Sequence, residues 1–240
     1  MRDAFAKEMK SIVERQNNVV LLSGDIGNRM FDGLKNSRPE QFINCGIAEA
    51  NMMSMAAGMG LSGMRPVIYT ITPFTTLRCL EQIRIGVAYH RSPVVIVGTG
   101  SGLSYSELGP THHSLEDMAI IRTIPNINVL APSDKVELIF QLREAIASPI
   151  PTYIRIGKKG EPNLHDSNIN LGIGKANFLK KGEGILILGV GPIIDEALKA
   201  GVYLSNQNQN ISVLNMGSIR PLDEDILDYC YEQNYHNWIT

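Results

Sequence analysis

The chain has 240 residues, 44% of them hydrophobic, with 22 Lys and Arg against 24 Asp and Glu, for a formal net charge of −2. That length suits one large or two modest α/β domains with a sizeable core. The near-balanced charge excludes the basic footprint of a nucleic-acid binder or of a protein drawn to acidic membranes. The N-terminus, Met1-Arg2-Asp3-Ala4-Phe5-Ala6-Lys7-Glu8, reads as a charged amphipathic helix without a signal peptide's apolar region. No apolar run reaches the roughly 20 residues that span a bilayer. Cys45, Cys79 and Cys230 are scattered, without a Cys-x-x-Cys pair. This pattern points to reduced thiols in a cytoplasmic protein, not to a disulfide scaffold or a zinc site.

In chain order, helical patterns are expected at Asp3–Gln16, Glu49–Leu61, Thr76–His90, Leu115–Arg122 and Lys135–Ala147. Between them fall short apolar runs expected as strands: Asn18–Ser23, Gln41–Asn44, Pro66–Thr70, Pro93–Thr99, Ile127–Ala131 and Thr152–Ile156. The alternation predicts βαβ units and a parallel sheet with helices on both faces. Runs such as Val94-Val95-Ile96-Val97 are apolar on both faces, as a doubly covered strand requires. The charged, turn-rich stretch Gly157–Gly172 predicts a domain boundary, dividing the chain into residues 1–160 and 173–240. The second unit reads as strand Gly184–Gly191, helix Ile194–Ser205, strand Ile211–Asn215 and helix Asp223–Gln233, with Asn206–Asn210 as a loop. Asn237-Trp238-Ile239-Thr240 begins another strand that lacks a covering helix, so this second α/β domain reads as incomplete.

Glu49 is the most informative position. It falls in the first turn of a helix that follows Phe42-Ile43-Asn44-Cys45-Gly46, at the carboxyl end of an expected strand, where α/β sheets place ligands. An acid there also complements the helix dipole, which accounts for it without any ligand.

Three blocks extend the reading. Gly46-Ile47-Ala48-Glu49 with Met55-Ala56-Ala57-Gly58 resembles the pyrimidine-binding segment of the transketolase family of thiamine diphosphate enzymes. Gly109-Pro110-Thr111-His112-His113-Ser114-Leu115-Glu116-Asp117 resembles that family's Gly-Pro-Thr-His loop. Ile124-Pro125-Asn126 through Leu130-Ala131-Pro132-Ser133-Asp134 resembles its next strand and helix start. The blocks follow the family's order and cover most of the chain.

The resemblance implies that Glu49 hydrogen-bonds the cofactor's pyrimidine nitrogen and favours the tautomer that removes the thiazolium proton. A carboxyl group suits this task because a desolvated pocket lets it hold a proton. Phe74, after Thr70-Ile71-Thr72-Pro73, matches the aromatic wall around the pyrimidine, although a core Phe fits the pattern equally. Leu77 and Leu80, one turn on, complete an apolar pocket where some members carry another aromatic. His112 matches the histidine beside the reacting carbonyl, and imidazole suits proton transfer near neutral pH. His113 stands where many members have Gln, and is read either as a substrate contact or as a cap on a helix opening at Ser114. Arg155 matches a strand-end arginine that contacts substrate phosphate in some relatives, and Arg2 aligns with another; a surface arginine is the alternative for both and the favoured reading for Arg2.

Departures from the family pattern also carry information. Asn51 stands where many members have His, and Leu108 stands where sugar-phosphate transketolases have an Asp that reads a substrate hydroxyl. A sugar other than the usual pentose phosphates is therefore expected. The family's Gly-Asp-Gly diphosphate motif is missing: Ser23-Gly24-Asp25-Ile26-Gly27 lacks its third-position glycine, and Asp25 is read as ordering the active-site loop. The diphosphate and most of the Mg²⁺ site are thus expected on an N-terminal partner subunit, as in split transketolases. His112 and His113 have no partner at metal-ligand spacing. The expected activity is transfer of a two-carbon ketol unit between sugars, by a protein that also forms a homodimer. The beta subunit of a 2-oxo acid dehydrogenase, a deoxyxylulose-phosphate-synthase-like enzyme and a non-catalytic partner-binding fragment are the alternatives.

Overall fold

The computed structural model describes residues 1–27, 29–166, 171–233 and 235–240. Its first half runs α1 (Arg2–Val13), β1 (Val19–Ser23), α2 (Asp32–Ser37), β2 (Phe42–Asn44), α3 (Glu49–Leu61) and β3 (Arg65–Ile71). Two short helical turns follow, α4 (Thr72–Thr75) and α5 (Leu80–Gln82), and then β4 (Val95–Thr99), α6 (Asp117–Ile121), β5 (Asn128–Leu130), α7 (Lys135–Ala147) and β6 (Thr152–Ile156). The remainder is β7 (Asn177–Lys180), β8 (Ile185–Gly189), α8 (Ile194–Ser205), β9 (Ser212–Asn215), β10 (Ser218–Arg220), α9 (Glu224–Glu232) and β11 (Asn237–Ile239).

The first sheet has the order β10-β5-β6-β4-β3-β1-β2, parallel throughout except for β10. The period of two decides where its side chains go. Val19 and Leu21 of β1, with Val95 and Val97 of β4, pack with Phe5 and Met9 of α1 and Leu138 and Leu142 of α7. Val20, Leu22 and Ile96 face the other way, onto Met52, Met53 and Ala56 of α3 and Ile83 and Val87 beyond α5. Both faces are therefore covered, as the doubly apolar strands require. The second sheet has the order β11-β8-β9-β7, with β7 antiparallel to β9. Helix α8 covers one face through Ile194, Ala197 and Leu198, and α9 covers the other through Ile226, Leu227 and Cys230.

Several expectations need correction. The helix expected at Thr76–His90 is preceded by α4 and is itself broken into a 3₁₀ turn at Leu77–Cys79, α5 and a π-helical stretch at Ile83–Tyr89. Pro73 seeds an extra turn directly after β3, and the Thr72 carbonyl accepts from the hydroxyls of Thr75 and Thr76, which closes that turn before a longer helix starts. The second unit opens with β7, ahead of the strand expected at Gly184. Ser218–Arg220, beyond its third strand, crosses back to pair with β5. The expected boundary stretch Gly157–Gly172 includes residues 167–170, which lie outside the described residues.

Candidate active site

The parallel strands β1, β2, β3, β4 and β6 bring their carboxyl ends to one edge of the first sheet. Register aligns Thr70 of β3 with Gly98 of β4, and Gly98 with Arg155 of β6. The loops and helix starts leaving this edge carry Asp25, Glu49, Phe74, His112 and His113. This is the crevice where open α/β sheets bind ligands.

Glu49 stands in the first turn of α3 and is only 3% exposed. A surface acid complementing the helix dipole would be solvated, so dipole matching alone does not account for it. Its Oε1 accepts from Arg78 Nη1 at 2.7 Å. The same guanidinium lies over the Phe74 ring, 4.0 Å from its centroid. Gly24, at the end of β1, allows this close approach: a Cβ there would lie 3.2 Å from Thr70 Cβ and 3.5 Å from Glu49 Cγ. Phe74 is half-buried, not a sealed core residue, and meets His112 edge-on at 5.1 Å between ring centroids. Glu49, Phe74 and His112 are thereby brought together, with Arg78 bridging the first two.

Asp25 is exposed in left-handed backbone, at φ 56°. It accepts from Asn44 Nδ2 at 2.9 Å, and Asn44 Oδ1 accepts from Gly46 N at 3.0 Å. This relay ties the exit of β1 to the loop that delivers Glu49. Leu77 is 43% exposed at the rim, so it does not close a pocket within this chain, whereas Leu80 is half-buried against the α3 side of the core.

The loop 100–116 carries the histidines. Nδ1 of His112 is bonded to Thr111 Oγ1 at 2.9 Å, which leaves its Nε2 for other partners. His113 does not cap a helix at Ser114, because α6 begins only at Asp117 after Glu116. Its Nε2 is buried and, like Ser114 Oγ and Thr70 Oγ1, has no hydrogen-bond partner among the described residues. Leu108 ends a 3₁₀ turn and is exposed, ahead of Gly109 at φ 76°.

Arg155 is mostly buried, which removes the surface-arginine reading. Its Nη1 donates to Asp117 Oδ1 at 3.2 Å, while Tyr153 OH donates to Asp117 Oδ2 at 2.6 Å. Tyr153 and Arg155 are two apart on β6 and share a face, so one carboxylate at the start of α6 holds both. Burial, reinforced by the Asp117 carboxylate, pushes the Tyr153 phenol well above its ordinary value and keeps it a donor. Arg155 lines an open cleft of about 590 Å³ with Gly102, Ser114 and Met118, bordered by Val190 and Pro192 of the second domain.

The structure adds residues that the sequence pattern does not single out. Arg78 lies four residues after Phe74, a spacing visible in the chain, but the apolar Leu77 beside it draws the reading instead. Buried Tyr105 packs its ring on Gly100, where a Cβ would lie 2.3 Å away. It receives a bond from Arg2 Nη1 at 3.4 Å, has Lys158 Nζ 4.1 Å above its ring and sits 6.2 Å from His112. Arg2 is accordingly half-buried against Tyr105, not a free surface arginine. Asp117 closes the Gly-Pro-Thr-His block, where the sequence alone assigns it no role.

A buried carboxyl group, a flat aromatic face and an imidazole around one crevice suit an aminopyrimidine ring: the acid can meet a ring nitrogen and Phe74 can stack. Comparison with known proteins identifies the family. The model of the transketolase pyrimidine-binding domain matches residues 1–161, and that of the transketolase C-terminal domain matches residues 174–239. The chain is 30% identical to a subunit of the apulose-4-phosphate transketolase of Phocaeicola vulgatus, over 97% of this chain and 75% of that one. It is 30% identical to the 6-deoxy-6-sulfo-D-fructose transketolase subunit SqwH of a Clostridium species, over 94% and 70%. A solved structure described as a split gene transketolase, inactive beta4 tetramer, superimposes with a TM-score of 0.88 at 29% identity, over 97% of this chain and 76% of that one. The chain belongs to the transketolase family and carries its pyrimidine-binding and C-terminal domains.

Proposed function

We propose that this chain is the pyrimidine-binding, C-terminal subunit of a split thiamine diphosphate-dependent transketolase that transfers a two-carbon ketol unit between sugars. The observation that carries the reading is the buried Glu49 carboxyl beside the Phe74 face, with His112 against the same ring. Bound thiamine diphosphate supplies a nucleophilic carbon and an electron sink. This chain's residues hold and orient it. Glu49 bonds the ring nitrogen and keeps a proton there, Phe74 supports the ring face, and Leu77 adds apolar rim once a partner surface covers it. Asp25 keeps the Glu49 loop in place through Asn44. His112, with His113, donates to the sugar carbonyl and moves protons there. Arg155, oriented by Asp117, clamps an anionic end of the substrate.

The N-terminal subunit brings the diphosphate-binding half and the Mg²⁺. Relatives named as separate transketolase subunits support that division of labour. Exposed Ile47, Leu61, Ile85 and Tyr89 support self-association through the first domain, as a homodimer. Unpaired Cys45, Cys79 and Cys230 support a cytoplasmic setting, and no helix among the described residues is long and apolar enough to cross a membrane. Leu108 supports a sugar other than the common pentose phosphates, in line with relatives named for apulose 4-phosphate and 6-deoxy-6-sulfo-D-fructose.

The test is reconstitution with an N-terminal transketolase subunit, thiamine diphosphate and Mg²⁺, followed by ketol transfer across a panel of sugars. Turnover is expected from the complex and not from this chain alone. Activity of the isolated chain, or an inert complex across the panel, rejects the reading. If xylulose 5-phosphate with ribose 5-phosphate is the best pair, the argument from Leu108 fails; a shift toward that pair in Leu108→Asp supports it.

A further inference from the structure

A seat for an aminopyrimidine ring needs two things here: a hydrogen bond to the Glu49 carboxyl and a flat face against Phe74. Both are already taken by one side chain of the same polypeptide. Arg78 Nη1 donates to Glu49 Oε1 at 2.7 Å, and the guanidinium carbon lies 4.0 Å from the Phe74 ring centroid. A guanidinium is planar, carries donors in its own plane and stacks on aromatic rings. Its flat shape imitates the ring expected in that place, and its N–H occupies the carboxyl oxygen that the ring nitrogen would meet.

We propose that Arg78 is a built-in occupant of the pyrimidine seat, holding it in the cofactor-free subunit and leaving when the ring enters. The inference rests on the functional reading of Glu49 and Phe74 given above. The burial of the two partners explains why such an occupant is useful. Glu49 is 3% exposed, and a buried carboxylate without a partner is costly. Arg78 is 44% exposed, on a long flexible stem, and can swing into water without a desolvation penalty. Its backbone lies in the 3₁₀ turn Leu77–Cys79, between α4 and α5 and outside any long helix. The occupied state lowers the apparent affinity for the ring by the fraction of molecules in which the seat is free.

The experiment titrates the whole 240-residue chain with 4-amino-2-methylpyrimidine, an uncharged probe that needs neither diphosphate nor partner. Arg78→Met keeps the stem and removes the guanidinium, and Arg78→Lys keeps a charge but no plane. Arg78→Met is expected to bind the probe about tenfold or more tighter than the wild-type chain, and Arg78→Lys by an intermediate factor. Raising the salt should tighten binding to the wild type, because it screens the half-exposed ion pair, and should leave Arg78→Met unchanged. Nitrogen-detected NMR of the Arg78 guanidinium should show restricted rotation that is released by the probe and loosened by Glu49→Gln. Equal or weaker binding by Arg78→Met, no binding by any of the chains, or a guanidinium still restrained at saturation overturns the proposal. The two readings fail separately. A probe-binding Arg78→Met chain whose reconstituted wild-type complex transfers no ketol unit sinks the transferase reading alone. An active complex with unchanged probe affinity sinks only the role of Arg78.

Discussion

Glu49 occupies a position with two demands on it. As the first residue of α3 it complements the helix end, and as a buried acid beside an aromatic ring it is suited to hold a proton on a ligand. The two demands separate on substitution. Glu49→Gln keeps the volume and an accepting oxygen but cannot exchange a proton. The reconstituted complex of Glu49→Gln should still bind thiamine diphosphate in calorimetry, with turnover lower by a factor of about 10² or more. A near-wild-type rate with cofactor bound would remove Glu49 from the chemistry. Arg155 depends in the same way on one neighbour: Asp117 neutralises and aims it, and Tyr153 fixes Asp117 through its second oxygen.

Helix α3 sets where Glu49 stands, and its packing is tight along its whole length. Met52, Met53, Ala56, Ala57 and Gly60 recur at helical spacing and are buried. At the far end the helix almost touches the segment before β4: a Cβ on Gly60 would lie 2.2 Å from Ser92 Oγ and 3.1 Å from Pro93 Cδ. Ser92 cannot yield freely, because its hydroxyl donates to the Ala57 carbonyl at 2.8 Å inside the core. Gly60→Ala should therefore destabilise the chain by about 1–3 kcal/mol in denaturant unfolding, despite the better helix propensity of Ala. In the Ser92→Ala background the penalty should shrink. An unchanged midpoint for Gly60→Ala would contradict the close approach.

At the scale of the whole molecule the second domain is fastened to the first by buried polar groups. Strand β10 joins the first sheet, Gln141 Nε2 donates to the Gly217 carbonyl at 3.1 Å, and Asn215 Nδ2 donates to Glu137 Oε1 at 2.9 Å. Asp134 caps α7 through the Glu137 N–H and accepts from the backbone N–H groups of Leu164 and His165, at 2.7 and 2.9 Å. The His165 ring lies 3.2 Å from the same carboxylate. Burial opposes ionisation of Asp134, but His165 and these N–H groups outweigh it and hold the group at about 2. Burial likewise opposes the His165 cation, and Asp134 with Glu137 outweighs that and raises its pKa. Burial also raises Glu137. The lowered acid contributes stability above its ordinary value near 3.8, lost as pH falls toward about 2. The raised histidine contributes below its ordinary value of 6.5, lost as pH rises through its shifted value. The contribution of Glu137 is likewise lost as pH rises through its own raised value. Thermal stability should therefore be highest near pH 4, between the ordinary values of Asp134 (3.8) and Glu137 (4.5), decline above that as Glu137 loses its contribution, and decline further above 6.5 as His165 loses its own. Melting curves across pH for wild type and His165→Gln check this, since the variant should lose part of the alkaline decline.

The α/β alternation, the doubly covered strands, α3 beginning at Glu49 and α7 following Asp134 were all legible in the chain, because they depend on local periodicity and on residues a few positions apart. So was the proximity of Glu49, Phe74 and His112, through short blocks whose order mirrors a known family. The remaining features depend on partners distant in sequence. The crossing of Ser218–Arg220 into the first sheet rests on pairing with β5, whose residues lie far back in the chain at Asn128–Leu130. The break of the helix expected at Thr76–His90 follows from the extra turn that Pro73 seeds against Gly98, where a Cβ would lie 2.9 Å from Thr72 Oγ1. Asp117 acquired its partners only when β6 brought Tyr153 and Arg155 beside it. Arg78 was one more charge in a helical pattern until folding placed a buried carboxylate and an aromatic face on either side of it. Periodicity records which face a residue turns inward; which group waits there is decided by the tertiary contacts.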